Sequence, residues 1–186
     1  MSKKENIKIS KFLSLVLRHK PETIQIQLDE NGWVSVSELI EKLNQNREYI
    51  SFEILKYVVD TNSKKRFAFN EDQTKIRASQ GHSLQIDLNY EPINPPKKLY
   101  HGTSERFLES ILKSGIEKRN RQHVHLSSDI ETALKVGQRH GKPVVLDIEA
   151  EKMSQNGHKF YLSDNSVWLT EYVPIEYINS SFGTAE

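Results

Sequence analysis

The stretch "KRFAFNEDQTKIRAS", residues 65–79, decides the fold of the first half of the chain. Phe67 and Phe69 lie two residues apart, a polar turn follows, and Ile76 lies on the return strand. Side chains two residues apart share one face of a strand. This pattern on both sides of a polar turn therefore predicts a β-hairpin.

Three helical patterns precede the hairpin. Apolar residues at helical spacing predict one helix over residues 7–18 and another between residues 50 and 59. Between them, Ser35 and Glu38 have the spacing of a capping box, which predicts a helix that runs to Leu43. Three helices followed by a hairpin predict a winged-helix-like lobe.

The pattern changes in the second half. "NYEPINPPKK", residues 89–98, contains three prolines and little periodicity, and it predicts a linker. Beyond it, short apolar runs predict strands in "KLYHGT", "HVHLS", "PVVLDIEA", "KFYLS" and "VWLTEYV". "SERFLESILKSG" predicts a helix that stops at Gly115. Ser128 with Glu131 predicts a capping box for another helix, which runs to about Gly141.

These patterns predict an α+β fold with two lobes. The expected division is a winged-helix-like lobe over residues 1–90, a linker over 91–98 and a strand-rich lobe over 99–186.

Composition excludes several classes of protein. The 186 residues include no cysteine, which excludes disulfides, thiolate zinc sites and a thiol nucleophile. A net charge of +1 argues against coating long nucleic acid through bulk electrostatics, although a local basic patch is compatible with it. No apolar run approaches the length of a membrane span, and no apolar signal region follows the charged N-terminus. We therefore expect a cytoplasmic protein without membrane contact.

Histidines recur in short contexts beside small residues. They occur in "GHS" at 81–83, "HGT" at 101–103 and "HVHLS" at 123–127. Small residues let a backbone approach a ligand closely. Any one of these histidines is more often a surface residue or a satisfied core residue. His123 and His125 could share a metal ion on one strand face, but zinc usually takes three or four protein ligands and the spacing offers no third. We expect no metal.

Four arginines stand at predicted element ends or beside an aromatic residue or a histidine: Arg18, Arg66, Arg77 and Arg121. A guanidinium is always charged and binds phosphate in a bidentate way, although each arginine could also be a solvated surface charge. "LRHKP", residues 17–21, ends a helix on two cationic groups. The pair is either a surface helix cap, where positive charge is favourable, or the floor of an anion site. Together the arginines and histidines suggest a protein that handles a phosphorylated ligand.

Eight stretches resemble, in order along the chain, the RNA 2′-phosphotransferases of the KptA type. They run from about Ser10 to Thr170 and read "SKFLSLVLRHKPE", "GWVSVSELI", "KKRFAF", "IRASQGHS", "LYHGT", "RQHVHLSSD", "GQRHGKPVVLDI" and "SVWLT". The resemblance implies a winged-helix N-terminal lobe, a C-terminal lobe of the ADP-ribosyltransferase fold and a site in the cleft between them.

The same resemblance implies a reaction that uses NAD, without a metal, to remove an internal 2′-phosphate from RNA through a 2′-phospho-ADP-ribosylated RNA intermediate. The products would be RNA with a 2′-hydroxyl, nicotinamide and ADP-ribose 1″,2″-cyclic phosphate. The implied partner is a tRNA-like RNA, as in tRNA splicing. No protein partner is implied.

Site residues follow from the matched stretches. The catalytic set of the family falls on Arg18, His19, Arg66 and Arg121. The NAD pocket falls on His101, Gly102, Thr103, His125, Leu126, Ser127 and Val167. We assign RNA binding to the first three catalytic residues together with Arg77, Gln80, Gly81, His82 and Ser83.

Val167 falls near the position where many ADP-ribosyltransferases carry a catalytic glutamate. The absence of a carboxylate there is chemically reasonable, because a phosphate oxygen is already ionised at neutral pH and needs no base to activate it. A carboxylate near the phosphate would repel it.

Two alternatives belong to other functional classes. A winged-helix regulator of nucleic acid predicts basic residues on a recognition helix, whereas the segment 35–46 carries Glu38, Glu41 and the single Lys42. An ADP-ribosyltransferase that caps terminal phosphates of nucleic acid could use the same residues and stop after one step. Only the full reaction yields the cyclic phosphate.

Overall fold

The fold is described from a computed structural model that covers residues 1–46 and 48–179. The chain divides into two compact units, Met1–Asn89 and Tyr90–Glu186. The described residues form a mixed α/β structure with six α-helices and small antiparallel sheets. Each unit has a hydrophobic core of its own.

The described residues of the first unit form three α-helices and one sheet of three strands. In chain order they are α1 (Lys3–Arg18), β1 (Val34–Ser35), α2 (Val36–Gln45), α3 (Phe52–Asp60), β2 (Phe67–Phe69) and β3 (Lys75–Ala78). The strand order is β1-β3-β2. The predicted hairpin is confirmed, because Phe69 pairs with Ile76 and Phe67 pairs with Ala78.

The helices of this unit begin at polar caps. Ser35 accepts a hydrogen bond from the amide of Glu38, as predicted for α2. Helix α1 begins earlier than its apolar spacing predicts, because Ser2 and Glu5 form a reciprocal capping box. The charged first turn hides this start from a search for apolar periodicity. The helix ends at Arg18, as predicted.

The core of the first unit lies between these helices and the sheet. Leu13, Val16 and Leu17 of α1 are fully buried with Leu39 of α2 and Leu55 of α3. Burying such side chains stabilises the unit by about 2 kcal/mol each. The C-terminal half of helix α1 is therefore held in the core, which fixes its end in place.

Within residues 90–179, the second unit forms three α-helices and eight short strands in three sheets. They are β4 (Leu99–Ser104), α4 (Glu105–Ser114), β5 (Ile116–Glu117), β6 (Val124–Leu126), α5 (Ile130–Gly137), β7 (Pro143–Ile148), α6 (Ala150–Gln155), β8 (Tyr161–Leu162), β9 (Trp168–Thr170), β10 (Tyr172–Val173) and β11 (Ile178–Asn179). The sheet orders are β10-β5, β11-β7-β4 and β6-β9-β8. The five strands predicted from short apolar runs are confirmed.

Strands β4 and β6 carry the histidines that the sequence singles out. β4 pairs with β7 over its whole length, and β6 pairs with β9. A bridge between Tyr100 and Ser127 joins β4 to the residues that follow β6. Around these strands Leu99, Leu146 and Phe160 are fully buried. The two histidine-bearing strands are thereby held next to each other.

Helix α5 differs from its prediction at both ends. Asp129, not Ser128, caps it, because the Asp129 carboxylate accepts the amide of Thr132 at 2.7 Å. A carboxylate at this position also interacts favourably with the helix dipole. The α-helix ends at Gly137 instead of Gly141, and a 3₁₀ turn follows.

Residues 91–98 contain no helix or strand, although the amide of Ile93 donates to the carbonyl of Phe160. Within residues 1–46 and 48–179, no helix has the length and apolar character needed to cross a membrane.

Candidate functional site

The C-terminal end of α1 presents two cationic residues. Arg18 is the last helical residue and His19 is the C-cap, whose amide donates to the Leu15 carbonyl. Pro21 then opens a 3₁₀ turn, so the chain leaves the helix axis at once. His19 is exposed and Arg18 is half-buried. The local fold therefore leaves this helix end open to a ligand.

The segment Ser79–Ser83 lies against this helix end. The amide of Ser83 donates to the Arg18 carbonyl at 3.0 Å, and the amide of Ser79 donates to the Arg66 carbonyl at 2.9 Å. Nη2 of Arg18 donates to the same Arg66 carbonyl at 3.2 Å. The structure thus brings together Arg18, Arg66 and Ser83, which lie far apart in the sequence.

His19 is held by a second contact to this segment. Its Nδ1 lies 3.0 Å from the hydroxyl oxygen of Ser83. A C-cap side chain without a partner would rotate freely, so this hydrogen bond limits the orientations of the imidazole.

His82 lies beneath these cations. It is 1% exposed, and burial lowers its pKa to about 4, with the charges of Arg18, His19 and Arg77 acting in the same direction. A backbone group of Leu17 raises the pKa of His82. Neither ring nitrogen of His82 has a hydrogen bond of ordinary geometry within the described residues. His82 is therefore neutral at neutral pH and lies below the protein surface.

The other residues assigned to RNA lie close by in sequence. Nη1 of Arg77 donates to the Leu88 carbonyl at 3.4 Å, and its guanidinium stacks 4.6 Å from the ring centre of Trp33. Gly81 has a φ of +86°, which favours glycine. Oε1 of Gln80 is buried without a hydrogen-bond partner among the described residues.

Sequence reasoning missed Trp33. In the sequence it occurs only inside the matched stretch "GWVSVSELI", without a role of its own. An aromatic residue in a turn was the available signal, because arginine commonly stacks on tryptophan. The pairing partner, Arg77, is 44 positions away by their numbers and could not be read from spacing.

In the second unit, Arg121, His125 and His101 form a hydrogen-bonded chain. Nη1 of Arg121 lies 2.7 Å from Nδ1 of His125, and Nδ1 of His101 lies 3.2 Å from the His125 carbonyl. A guanidinium only donates, so Nδ1 of His125 accepts and its Nε2 carries the proton. A carbonyl only accepts, so Nδ1 of His101 carries the proton and Nε2 of the neutral ring is an acceptor.

Burial and neighbouring charges shift the pKa values of His101 and Arg121. Burial lowers the pKa of His101, and the charge of Arg121 lowers it further, against the raising effect of the hydrogen bond to the His125 carbonyl. Desolvation of its guanidinium and then the charge of Arg139 lower the pKa of Arg121. Arg121 is nevertheless an exposed residue and remains charged, as guanidinium groups do in proteins.

Gly102 has a packing role that the sequence did not reveal. A Cβ at this position would lie 1.8 Å from the Ala133 carbonyl oxygen, so α5 can pack on β4 only if residue 102 is glycine. Thr103 and Leu126 are both buried, and Leu126 belongs to the core. Ser127 continues from β6 and exchanges two backbone hydrogen bonds with Tyr100. Any ligand at Leu126 would therefore meet backbone atoms.

Val167 immediately precedes β9, the strand that pairs with the histidine strand β6. Its amide donates to the Ser163 hydroxyl at 3.0 Å, and its carbonyl accepts from the Ser163 amide at the same distance. The backbone of residue 167 is thus fixed by a turn, and its side chain supplies no carboxylate.

The two histidines of "HVHLS" have different partners. The ring of His123 contacts Tyr161 edge-on, with ring centres 5.6 Å apart, whereas His125 contacts Arg121. Tyr161 was not singled out from the sequence. In the part of the chain that the structure describes, no group of three or more His, Cys, Asp or Glu side chains could hold a metal ion.

Comparison with known proteins gives one consistent result. The model of the "RNA 2′-phosphotransferase, Tpt1 / KptA family" matches residues 4–172. A "Probable RNA 2′-phosphotransferase" of Flavobacterium johnsoniae is 58% identical over 176 residues, which cover 94% of this chain and 97% of the relative. One of Fusobacterium nucleatum subsp. nucleatum is 55% identical over 174 residues, which cover 93% of this chain and 97% of the relative. A third, of Acaryochloris marina, is 52% identical over 169 residues, which cover 91% of this chain and 93% of the relative.

Proposed function

The chain belongs to the RNA 2′-phosphotransferase (Tpt1 / KptA) family, and from this we propose that it removes an internal 2′-phosphate from RNA with NAD as the second substrate. The observation that carries the proposal is the end of α1, where the 79–83 segment fixes Arg18 and His19 beside the chain at Arg66. Two arginines and a histidine, linked by backbone and side-chain hydrogen bonds, suit a dianionic phosphate.

These residues bind and orient the phosphate in the proposed reaction. Arg18 and Arg66 hold its oxygens, and His19 donates from its ring. Arg18 and His19 are in position before the substrate arrives, because hydrogen bonds and burial fix the end of α1. Fixed charges cost no reorganisation when charge develops on the phosphoryl oxygens, which makes them effective in stabilising a transition state.

The chain Arg121–His125–His101 is proposed to hold NAD. The donor at Nε2 of His125 and the acceptor at Nε2 of His101 are complementary, and such a pair suits the hydroxyl groups of a ribose. The backbone around Gly102, Thr103, Leu126 and Ser127 offers further polar groups. NAD supplies the ribose carbon that takes the phosphate from RNA, with release of nicotinamide.

Arg121, which contacts His125 of this ribose site, is proposed as the fourth residue that acts on the phosphate. In the first step a phosphate oxygen of the RNA bonds to the ribose carbon and nicotinamide leaves, which gives the 2′-phospho-ADP-ribosylated RNA. In the second step the adjacent ribose hydroxyl attacks the phosphorus and the RNA 2′-oxygen leaves. Arg121 then faces the phosphoryl oxygens as their charge rises. Its guanidinium remains charged throughout, so it can serve both steps.

Val167 fits this chemistry. An ionised phosphate needs no carboxylate to activate it, and the residue that precedes β9 provides none. We also propose that the first unit is a winged-helix lobe and the second an ADP-ribosyltransferase-like lobe. Three helices with a hairpin sheet, and a strand-rich unit with histidines on neighbouring strands, support this interpretation.

Product analysis tests the proposal. The protein is incubated with an oligonucleotide that carries one internal 2′-phosphate, with and without NAD, in excess chelator. We expect RNA with a 2′-hydroxyl, nicotinamide and the cyclic phosphate, only when NAD is present and despite the chelator. ADP-ribosylated terminal phosphates without cyclic phosphate would instead identify a capping enzyme, and activity restored by zinc would contradict the metal-free reaction.

A further inference from the structure

We propose that Ser83 is a positioning residue for His19: its hydroxyl sets which nitrogen of the imidazole carries the proton, so that Nε2 is a donor to the bound phosphate. The identity of that ligand rests on the proposed function. The sequence alone suggests that Ser83 contacts RNA directly, whereas the structure places its hydroxyl on His19, 3.0 Å from Nδ1.

Two hydrogen bonds define this geometry. The Ser83 amide donates to the Arg18 carbonyl at 3.0 Å, which fixes the Ser83 backbone against the last turn of α1. The Ser83 hydroxyl lies 3.0 Å from Nδ1 of His19, the C-cap residue that follows Arg18. The backbone of Ser83 contacts Arg18 and its side chain contacts His19. Because the backbone is fixed, few other groups lie within reach of the hydroxyl.

Neighbouring residues hold Ser83 in this position. His82 is 1% exposed and anchors the segment below the surface, while the +86° φ of Gly81 provides the turn that leads into it. The amide of Ser79 secures the start of the segment on the Arg66 carbonyl. The segment is thus tied to the core on both sides of Gly81, and Ser83 extends from it as an exposed end.

A hydroxyl is suited to this role because it can both donate and accept. When His19 is neutral, the Ser83 hydroxyl donates to Nδ1, and Nε2 carries the proton. When His19 is protonated, Nδ1 donates to the Ser83 oxygen, and Nε2 still carries a proton. In both charge states Nε2 is a donor, which an anion requires of the residue that binds it.

The direct test is nitrogen NMR of the full chain with ¹⁵N-labelled histidine at about pH 8, where an ordinary histidine is neutral. His19→Gln assigns the signals of His19. We expect an unprotonated Nδ1 and a protonated Nε2 in the wild type, and a mixture of both tautomers in Ser83→Ala. Ser83→Thr, which keeps the hydroxyl, should restore the wild-type pattern. Identical tautomer populations in the wild type and Ser83→Ala would overturn the proposal.

Single-turnover rates with a 2′-phosphorylated oligonucleotide provide the second test. Ser83→Ala should react about tenfold more slowly, which corresponds to about 1.4 kcal/mol, because the hydrogen bond that orients the donor is lost. The KM for NAD should not change, and Ser83→Thr should stay within about threefold of the wild type. The matched control is Ser14→Ala, whose hydroxyl bonds only the helix carbonyl of Ser10.

A rate for Ser83→Ala within twofold of the wild type, or a Thr variant as slow as the Ala variant, would contradict the positioning role. If Ser83→Ala melts early, Ser83→Cys, a weaker donor of similar size, replaces it, and its tautomer mixture should lie between those of Ser and Ala. The spectra require no turnover. They therefore test Ser83 even if the wild type fails to act on 2′-phosphorylated RNA, which would refute the proposed function alone.

Discussion

At the proposed site, some residues supply charge and others fix the position of a proton on a neighbouring ring. Arg121 supplies charge, and it also fixes the proton of His125 through the 2.7 Å contact to Nδ1. His101 is kept neutral by burial, so its Nε2 can accept. The arginines were predicted from residue type and context. The tautomers were not, because they depend on contacts that only the folded strands create.

Arg121→Ala should slow the second chemical step more than the first. A cation that contacts the phosphoryl oxygens stabilises the charge that builds on them when the ribose hydroxyl attacks, and its loss costs about a hundredfold in rate. The 2′-phospho-ADP-ribosylated RNA should then accumulate in a single turnover with radiolabelled 2′-phosphate. Arg119→Ala is the control, because that exposed arginine contacts Phe107 instead. If turnover falls while the intermediate stays at its wild-type level, Arg121 acts before or during the first step.

His101→Ala and His125→Ala should each weaken the use of NAD more than the binding of RNA. Both changes remove one member of the donor and acceptor pair at Nε2. Steady-state KM values for NAD and equilibrium binding of unreacted RNA measure the two effects separately. Unchanged NAD dependence in both variants would contradict the assignment.

At the level of elements, the sequence predicted most helices and strands, but it did not predict where all of them begin and end. Phe67 and Phe69 gave the hairpin because period-two alternation is local. The capping box at Ser2 was missed because its helix begins in charged residues. Ser128 was chosen because Glu131 follows it at the spacing of a capping box, whereas the folded helix is capped by Asp129. The packing of α5 on β4 at Gly102 is non-local, and no periodicity encodes it.

Gly102→Ala should therefore destabilise the protein by about 3 kcal/mol or more, because the new Cβ displaces the backbone of α5 from β4. Gly157→Ala is the matched control. It has a φ of +91° but nothing within 4 Å of the added Cβ, so it should cost only about 1 kcal/mol. Denaturant unfolding measures both. Equal decreases in the free energy of unfolding for the two variants would show that α5 can move away from β4 at little energetic cost.

For the whole molecule, His82 couples stability to pH. Its pKa is about 4 in the folded chain against 6.5 ordinarily, so the unfolded chain binds more protons between these values. As far as His82 determines it, the free energy of unfolding should be highest above pH 6.5 and should fall by roughly 3 kcal/mol as the pH drops towards 4.

Urea unfolding between pH 4.5 and 7 tests this coupling. His82→Gln should flatten the dependence on pH, because glutamine does not titrate, whereas exchange of the exposed His140 for Gln serves as the control. An equally steep fall in His82→Gln would assign the acid sensitivity to other groups.

The stack of Arg77 on Trp33 makes the first unit observable on its own. The chain has two tryptophans, Trp33 in the first unit and Trp168, buried on β9, in the second. In a Trp168→Phe variant all indole fluorescence would come from Trp33, whose ring centre lies 4.6 Å from the Arg77 guanidinium. Like Arg18 and His19, Arg77 lowers the pKa of the buried His82. Added inorganic phosphate that draws Arg77 off the ring would then change emission intensity, and occupancy of the cationic end of α1 could be followed optically, without a label and without a reaction.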